Sequence, residues 1–295
     1  MINVNHLTKR YGSYTAVSDI SFSCEAGTVT GFLGPNGAGK STTLRMLTGL
    51  TPPTSGSVAI AGRAFADLPN PGRLIGVMLD AAAQHPGRTG LETLRLSTQL
   101  LDLPRTRADE MLELVGLSDA IDRRVGNYSL GMRQRLGIAN ALLGDPAILI
   151  LDEPANGMDP EGIRWMRILL RDFAERGGTV LLSSHLLGEV QATVDRLVVI
   201  GGGRIVADDS LDSLLAGQGT TVRSVDDDDL ARHLRSRGIR VAVSGDGALQ
   251  VDADAETIGR VALCGGVVLT ELHASGHGLE DLFFELTSTT DRAAA

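Results

Sequence analysis

Gly34-Pro35-Asn36-Gly37-Ala38-Gly39-Lys40-Ser41-Thr42 decides how this chain is read. It has the spacing G-x-x-x-x-G-K-[ST], in which glycines let backbone N–H groups converge on one anion. Lys40 reaches the β- and γ-phosphates of a nucleotide, and the Ser41 hydroxyl faces a Mg²⁺ position. The flanks agree. Thr28–Leu33 is a short β-branched and apolar run suited to a buried strand, and Ser41–Leu47 has helical spacing that ends at Gly49. Strand, loop and helix put phosphates at a helix N-terminus, where the dipole favours anions. A nucleoside triphosphate is the expected ligand, and a glycine-rich turn matching by chance would not meet this context.

Working outward, Ile2–Leu7 and Ala16–Phe22 alternate apolar and polar around the turn Tyr11-Gly12-Ser13-Tyr14, which predicts an antiparallel hairpin. Further short strands are expected at Gly56–Gly62 and up to Asp80. From about Gly90 to Leu143 the spacing is helical, with breaks at Pro104 and Gly116. Ala147–Leu151 is a continuous apolar run, as in a strand buried on both faces. A helix at Glu161–Arg176 and strands at Thr179–Ser183 and Arg196–Ile200 follow, so the sheet is expected to be mainly parallel. Beyond Asp209 the pattern becomes strand Thr220–Val225, helix Asp227–Arg237, strands Ile239–Val243 and Ala248–Val251, helix Ala255–Leu263, strand Val267–Leu272 and helix Leu279–Leu286. Up to its last strand this spells βαββαβ, a ferredoxin-like order. The Asp226–Asp229 run reads as a solvated turn and helix start rather than a metal site.

The bulk properties narrow the function. A chain of 295 residues holds one large α/β domain and a smaller one, and a net charge of −9 argues against a broad nucleic-acid surface. Cys24 and Cys264 stand far apart with no C-x-x-C spacing, so neither a disulfide framework nor a zinc site is expected. The N-terminus lacks signal-peptide character, and no apolar run approaches the ~18–20 residues that span a bilayer. Any membrane part is expected on another chain.

Asp152 and Glu153 stand at the C-terminal end of the apolar strand Ala147–Leu151, where open α/β sheets place their ligands. Asp152 is expected to serve Mg²⁺ and Glu153 to polarise the attacking water. His185 follows the next strand in Ser183-Ser184-His185 and could sense the γ-phosphate.

Tyr128-Ser129-Leu130-Gly131-Met132-Arg133-Gln134-Arg135 resembles the signature segment of ABC transporter nucleotide-binding subunits. Pro154–Pro160 resembles their D-loop and His185 their switch histidine, in the family's order. The resemblance covers about Ile2 to Asp209. It implies a phosphate-loop α/β core with an antiparallel β subdomain and a helical subdomain (about 85–145), here followed by a small α+β domain. Domains are thus expected at 1–209 and 210–288, with a tail at 289–295.

The resemblance also assigns roles. Tyr11 would stack on adenine. Gly34, Pro35, Asn36, Gly37, Ala38, Gly39, Lys40, Ser41 and Thr42 would hold the phosphates of ATP, with Ser41 and Asp152 on Mg²⁺. Glu153 would be the catalytic carboxylate and His185 the γ-phosphate sensor. Ser129 and Gly131 would contact ATP bound to a second, facing subunit, and the pair would drive a separate permease from the inner face of the membrane. Three departures stand out. Leu130 and Met132 replace a glycine and the glutamine of L-S-G-G-Q, and Asp80 takes the place of a glutamine that normally touches Mg²⁺ and the membrane partner. Gln84 lies nearby but out of register, whereas a carboxylate at Asp80 still suits Mg²⁺. The wording of the motifs is most similar to exporters of the bacitracin and daunorubicin resistance type. The rival reading, a soluble ABC-type ATPase on nucleic acid or the ribosome, lacks support: there is one phosphate loop, no zinc spacing, a modest helical insert and an acidic balance.

Overall fold

A computed structural model describes residues 1–184, 187–216, 219–244 and 247–274, together with 279, 283 and 284. Two compact units are distinguished, one of Met1–Ser210 together with the described residues 283 and 284, the other of Leu211–Leu282.

In the first unit the predicted hairpin forms from β1 (Ile2–Tyr11) and β2 (Tyr14–Cys24), with Tyr11 directly opposite Tyr14. The first strand after the phosphate loop, β4 (Ser55–Ile60), joins them on the other side of β1 to give the antiparallel order β2-β1-β4. The strand before the phosphate loop, β3 (Thr28–Leu33), has the expected bounds and runs into α1 (Lys40–Leu47). It lies in a six-stranded sheet with β5 (Ile75–Met78), β6 (Ile148–Asp152), β7 (Thr179–Ser184), β8 (Arg196–Gly201) and β9 (Arg204–Ser210), in the order β5-β6-β7-β3-β8-β9. The first four pairings are parallel, as the apolar runs imply, and the last is antiparallel. That edge strand, β9, is absent from the sequence-based reading. It arises because Gly202 and Gly203 turn the chain back in two residues of positive φ.

The two sheets share one apolar core. Phe22 of β2 stacks on Phe32 of β3 at a centroid distance of 5.3 Å, among Ile2, Ile20, Leu44, Ile150 and Val198. The helical insert comprises α2 (Gly90–Leu100), α3 (Thr106–Leu114) and α4 (Leu130–Leu142). Thr89 and Glu92 close a reciprocal capping box on α2. Asp159 caps α5 (Pro160–Glu175), whose proline at the first position is preset for a helix start. A short α6 (Leu187–Gln191) leads to β8. There Asp195 accepts the Val29 amide at 2.8 Å and an Arg171 guanidinium, fixing β8 beside β3.

The second unit starts with α7 (Leu211–Ala216), followed by β10 (Thr220–Ser224), α8 (Asp227–Ser236), β11 (Val241–Val243), β12 (Leu249–Val251), α9 (Ala255–Gly265) and β13 (Leu269–Ala274). The order β11-β12-β10-β13, antiparallel throughout, is that of a split βαβ fold. Val222, Leu230, Leu234, Val251 and Ile258 fill its core. Strands β11 and β13 each begin two residues later than expected. Gly238 and Gly266 end the preceding helices with positive φ, and the Ile239 and Val267 amides turn back to the Leu234 and Ala262 carbonyls. Those residues cap helices instead of pairing in the sheet. Asp226 caps α8 by accepting the Asp229 amide at 2.9 Å, so the acidic run is a helix start; no cluster of three or more metal-ligating side chains occurs among the described residues. Of the expected helix Leu279–Leu286, only residues 279, 283 and 284 are described.

Candidate functional site

The site is built where β3, β6 and β7 end. Two glycines of the loop after β3 have no room for a side chain. A Cβ on Gly34 would lie 2.3 Å from the Ile200 carbonyl oxygen, and one on Gly39 would lie 2.6 Å from that of Ala16. Gly39 also has φ +107 and is the N-cap of α1, with no side chain capping the helix. The first amides of α1 are therefore left for an anion. Lys40 opens the helix and is 7% exposed; its Nζ donates to the Gly34 carbonyl at 2.5 Å and that of Pro35 at 3.3 Å. Burial lowers the ammonium pKa from its ordinary value, while the Glu153 and Asp152 carboxylates act the other way. A phosphate would supply the anionic partner that burial makes valuable here.

Strand register brings the acids to the loop. Asp152 is directly opposite Ser183 on β7. The Ser183 hydroxyl donates to Asp152 Oδ1, and the Ser41 hydroxyl donates to Oδ2 at 2.8 Å. Both carboxylate oxygens are thus oriented. A hydroxyl beside a carboxylate is an oxygen-only donor pair, which fits a hard divalent cation such as Mg²⁺. Glu153 leaves the strand with φ +50, a conformation few residues with side chains adopt. Its amide holds that turn by donating to Ser183 Oγ at 3.0 Å and to the Ser183 carbonyl at 3.2 Å. Strained backbone at the end of a strand, held from several sides, aims one carboxylate.

Tyr11, Tyr14, the loop residues Pro35–Gly37 and Gly39–Thr42, Asp152 and Glu153 line a single cleft of ≈350 Å³. Tyr11 is half exposed, and Lys9 Nζ lies 5.0 Å from its ring centroid. Tyr14 escaped sequence reasoning, although its place across the hairpin turn from Tyr11 was a usable signal. So did Ser183, whose part depends on register between strands far apart in the chain. Gln134 is the third such residue. Buried on α4, it donates from Nε2 to the Glu153 carbonyl at 3.3 Å and that of Asn156 at 3.1 Å.

Other expected residues lie elsewhere. Ser129 is the N-cap of α4 and accepts the Met132 amide at 3.2 Å, as its type predicts; neither it nor Gly131 lines the cleft. Asp80 follows β5, is exposed, and is not among the cleft-lining residues. The Gln84 side chain donates to the Arg133 carbonyl at 3.4 Å. His185 lies outside the described residues. Cys24 is buried, which pushes its thiol up to about 12, and both cysteines are free.

A glycine loop against a parallel strand, an open helix start and two oriented acids define a phosphate-loop nucleotide triphosphatase. Comparison with known proteins places it within that class. Residues 17–156 match the family described as ABC transporter, and residues 209–280 match a domain of unknown function (DUF8746). The bacitracin transport ATP-binding protein BcrA of Bacillus licheniformis is 42% identical over 217 residues, covering 72% of this chain and 71% of that one. The Nod factor export ATP-binding protein I of Burkholderia lata is 34% identical over 295 residues, covering 97% and 96%. The dimeric post-hydrolysis structure of the cassette MJ0796, bound to ADP and Pi, superposes with a TM-score of 0.64 at 26% identity, covering 72% of this chain and 99% of that chain. The chain belongs to the ABC transporter family as one of its ATP-binding, ATP-hydrolysing subunits.

Proposed function

We propose that this chain powers a separate membrane permease that exports an antibiotic or similar small molecule, and that it does so as a pair of copies closing on two ATP molecules. The observation that carries the reading is the convergence of Lys40, Ser41, Asp152 and Glu153 on one cleft, with Ser183 orienting both acids. Export is supported by the relatives that serve bacitracin transport and Nod factor export. No helix among the described residues is long and apolar enough to cross a membrane. In this reading the membrane path belongs to a partner, with this chain docked on its inner face.

In this reading Tyr11 stacks on adenine, while the backbone of Gly34–Thr42 and the Lys40 ammonium hold the β- and γ-phosphates. Ser41 and Asp152 hold Mg²⁺, with Asp80 as a further candidate from the neighbouring strand end. When bound, Mg²⁺ neutralises charge on the phosphates. Glu153 accepts a proton as water oxygen bonds to the γ-phosphorus and the bond to the β,γ-bridging oxygen breaks. His185 senses the γ-phosphate. Ser129 and Gly131, at the start of α4, grip the nucleotide of the facing copy through helix amides.

Glu153→Gln tests this, since a neutral amide cannot accept that proton. The variant should hydrolyse ATP at least about 100-fold more slowly and elute as an ATP-dependent dimer on size exclusion. Wild-type turnover would remove Glu153 from the mechanism. Recovery of the chain in membranes should also depend on its permease; salt-sensitive binding to RNA or DNA would favour the rival reading.

A further inference from the structure

Three contacts from the first two turns of α4 fasten that helix to the stretch that follows β6. Leu130 rests on Gly157, where an added Cβ would come within 2.2 Å of Leu130 Cδ2. Gln134 holds the Glu153 and Asn156 carbonyls. Arg135 lays its guanidinium over the Trp165 ring of α5, 4.7 Å from the centroid, while Nη1 donates to the Val115 carbonyl at 3.1 Å. Leu130 is one of the signature's departures from glycine, and Trp165 is the chain's single tryptophan.

We propose that Leu130, Arg135 and Trp165 are positioning residues that latch the signature helix to its own Glu153, so that nucleotide gripped by α4 in one site sets the carboxylate of the other. The inference rests on the paired arrangement proposed above. Glu153 is held from both sides of its backbone: Ser183 takes its amide and Gln134 its carbonyl. With φ +50 it has little intrinsic preference for that conformation, so its orientation follows its tethers. Helix α4, of 13 residues, moves as a rod about 20 Å long. A pull on the Ser129 end therefore reaches Gln134 in little more than one turn. Seated on Gly157 and stacked on Trp165, the rod carries residues 153–165 with it instead of sliding past them. A glycine at position 130 would give that motion no purchase. Arginine is suited to the stack because its planar cation covers an aromatic face while its edge still donates.

Full-length Glu153→Gln protein is titrated with ATP and Mg²⁺ while Trp165 emission and elution volume are recorded together. Emission should change in step with dimer formation and stay constant with ADP. With Glu153 intact, Trp165→Leu and Leu130→Gly should each lower kcat about fivefold with KM changed less than about twofold, and the Hill coefficient for ATP should fall from about two toward one. Trp165→Tyr, which keeps an aromatic face, should retain cooperativity. If Glu153→Gln forms no dimer with ATP, the paired reading fails and the latch with it. A dimer whose emission is unchanged, or Trp165→Leu with wild-type kcat and Hill coefficient, overturns the latch alone. Equal loss in Trp165→Leu and Trp165→Tyr with normal cooperativity also counts against it, since that is a packing defect.

Discussion

Replacing Ser183 by alanine probes the part of the site that only the folded chain reveals. Ser183 is wholly buried, and its hydroxyl donates to Asp152 Oδ1 while accepting the Glu153 amide at 3.0 Å. A hydrogen bond to a charged group contributes about 1.5–3 kcal/mol, and losing one leaves the carboxylate partly unsatisfied. The second loss is smaller, because the Glu153 amide keeps its bond to the Ser183 carbonyl at 3.2 Å. The net cost is about 2 kcal/mol. For a unit of this size each 1 kcal/mol moves the midpoint by about 2–4 °C, so that unit's thermal midpoint should fall by about 4–8 °C. Asp152 keeps its contact with Ser41 at 2.8 Å, so the carboxylate stays near its place with one restraint fewer. Groups that orient a metal-binding carboxylate typically contribute about tenfold or more in metal affinity. The Mg²⁺ concentration for half-maximal hydrolysis should rise by about that factor, whereas ATP binding measured without Mg²⁺ should be unchanged. A variant with the parent's midpoint and Mg²⁺ dependence would refute the bridging role of Ser183.

Gly34→Ala places a methyl group 2.3 Å from the Ile200 carbonyl oxygen, a backbone atom that cannot step aside; calorimetry should show a loss of about 1–3 kcal/mol, together with weaker ATP binding. Lys40→Ala removes the cation whose Nζ now rests on the Gly34 carbonyl, and equilibrium dialysis should show ATP affinity down at least about tenfold; unchanged affinity would count against the loop. In the second unit, hydrogen bonds from Thr257 hold the Asp254 carboxyl below its ordinary value of 3.8. A lowered folded-state pKa stabilises above the unfolded-state value and is lost as pH falls through the folded one. Asp254→Ala should therefore lower the second unit's thermal midpoint at pH 7, and that difference should shrink as pH falls below 3.8; a difference that does not shrink in acid would contradict a charge-assisted cap.

What could be read from the residues alone was set by short-range chemistry. Thr28–Leu33 and Gly34–Thr42 carry strand, turn and helix signals within a single stretch of chain, and the structure reproduces their bounds. Ser129 and Asp159 are helix caps by type and by position. The misses have tertiary causes. Val267 is apolar and follows a helix, so it reads as the start of a strand, yet its amide is taken by the Ala262 carbonyl. Nothing local tells Ser183 that it will stand opposite Asp152, because that register is fixed by how two separate apolar runs pack in the sheet. Tyr14 is similar: its value lies in facing Tyr11 across a turn that opens onto the cleft.

The same distinction explains why one chain contains only half of the proposed site. Two helix starts bear on the proposed site. That of α1 lies under the phosphate loop and lines the cleft. That of α4 carries the exposed Ser129 and the half-buried Gly131 and lies outside the cleft. Its serine side chain satisfies one amide, at Met132, which leaves others without a side-chain partner for an incoming anion. An intrachain site would need α4 to leave the contacts that Gln134 and Arg135 make with residues 153–165. A second copy meets the same need with those contacts intact. The proposed pairing is compatible with the packing of α4, in which the leucine at position 130 seats the helix against Gly157.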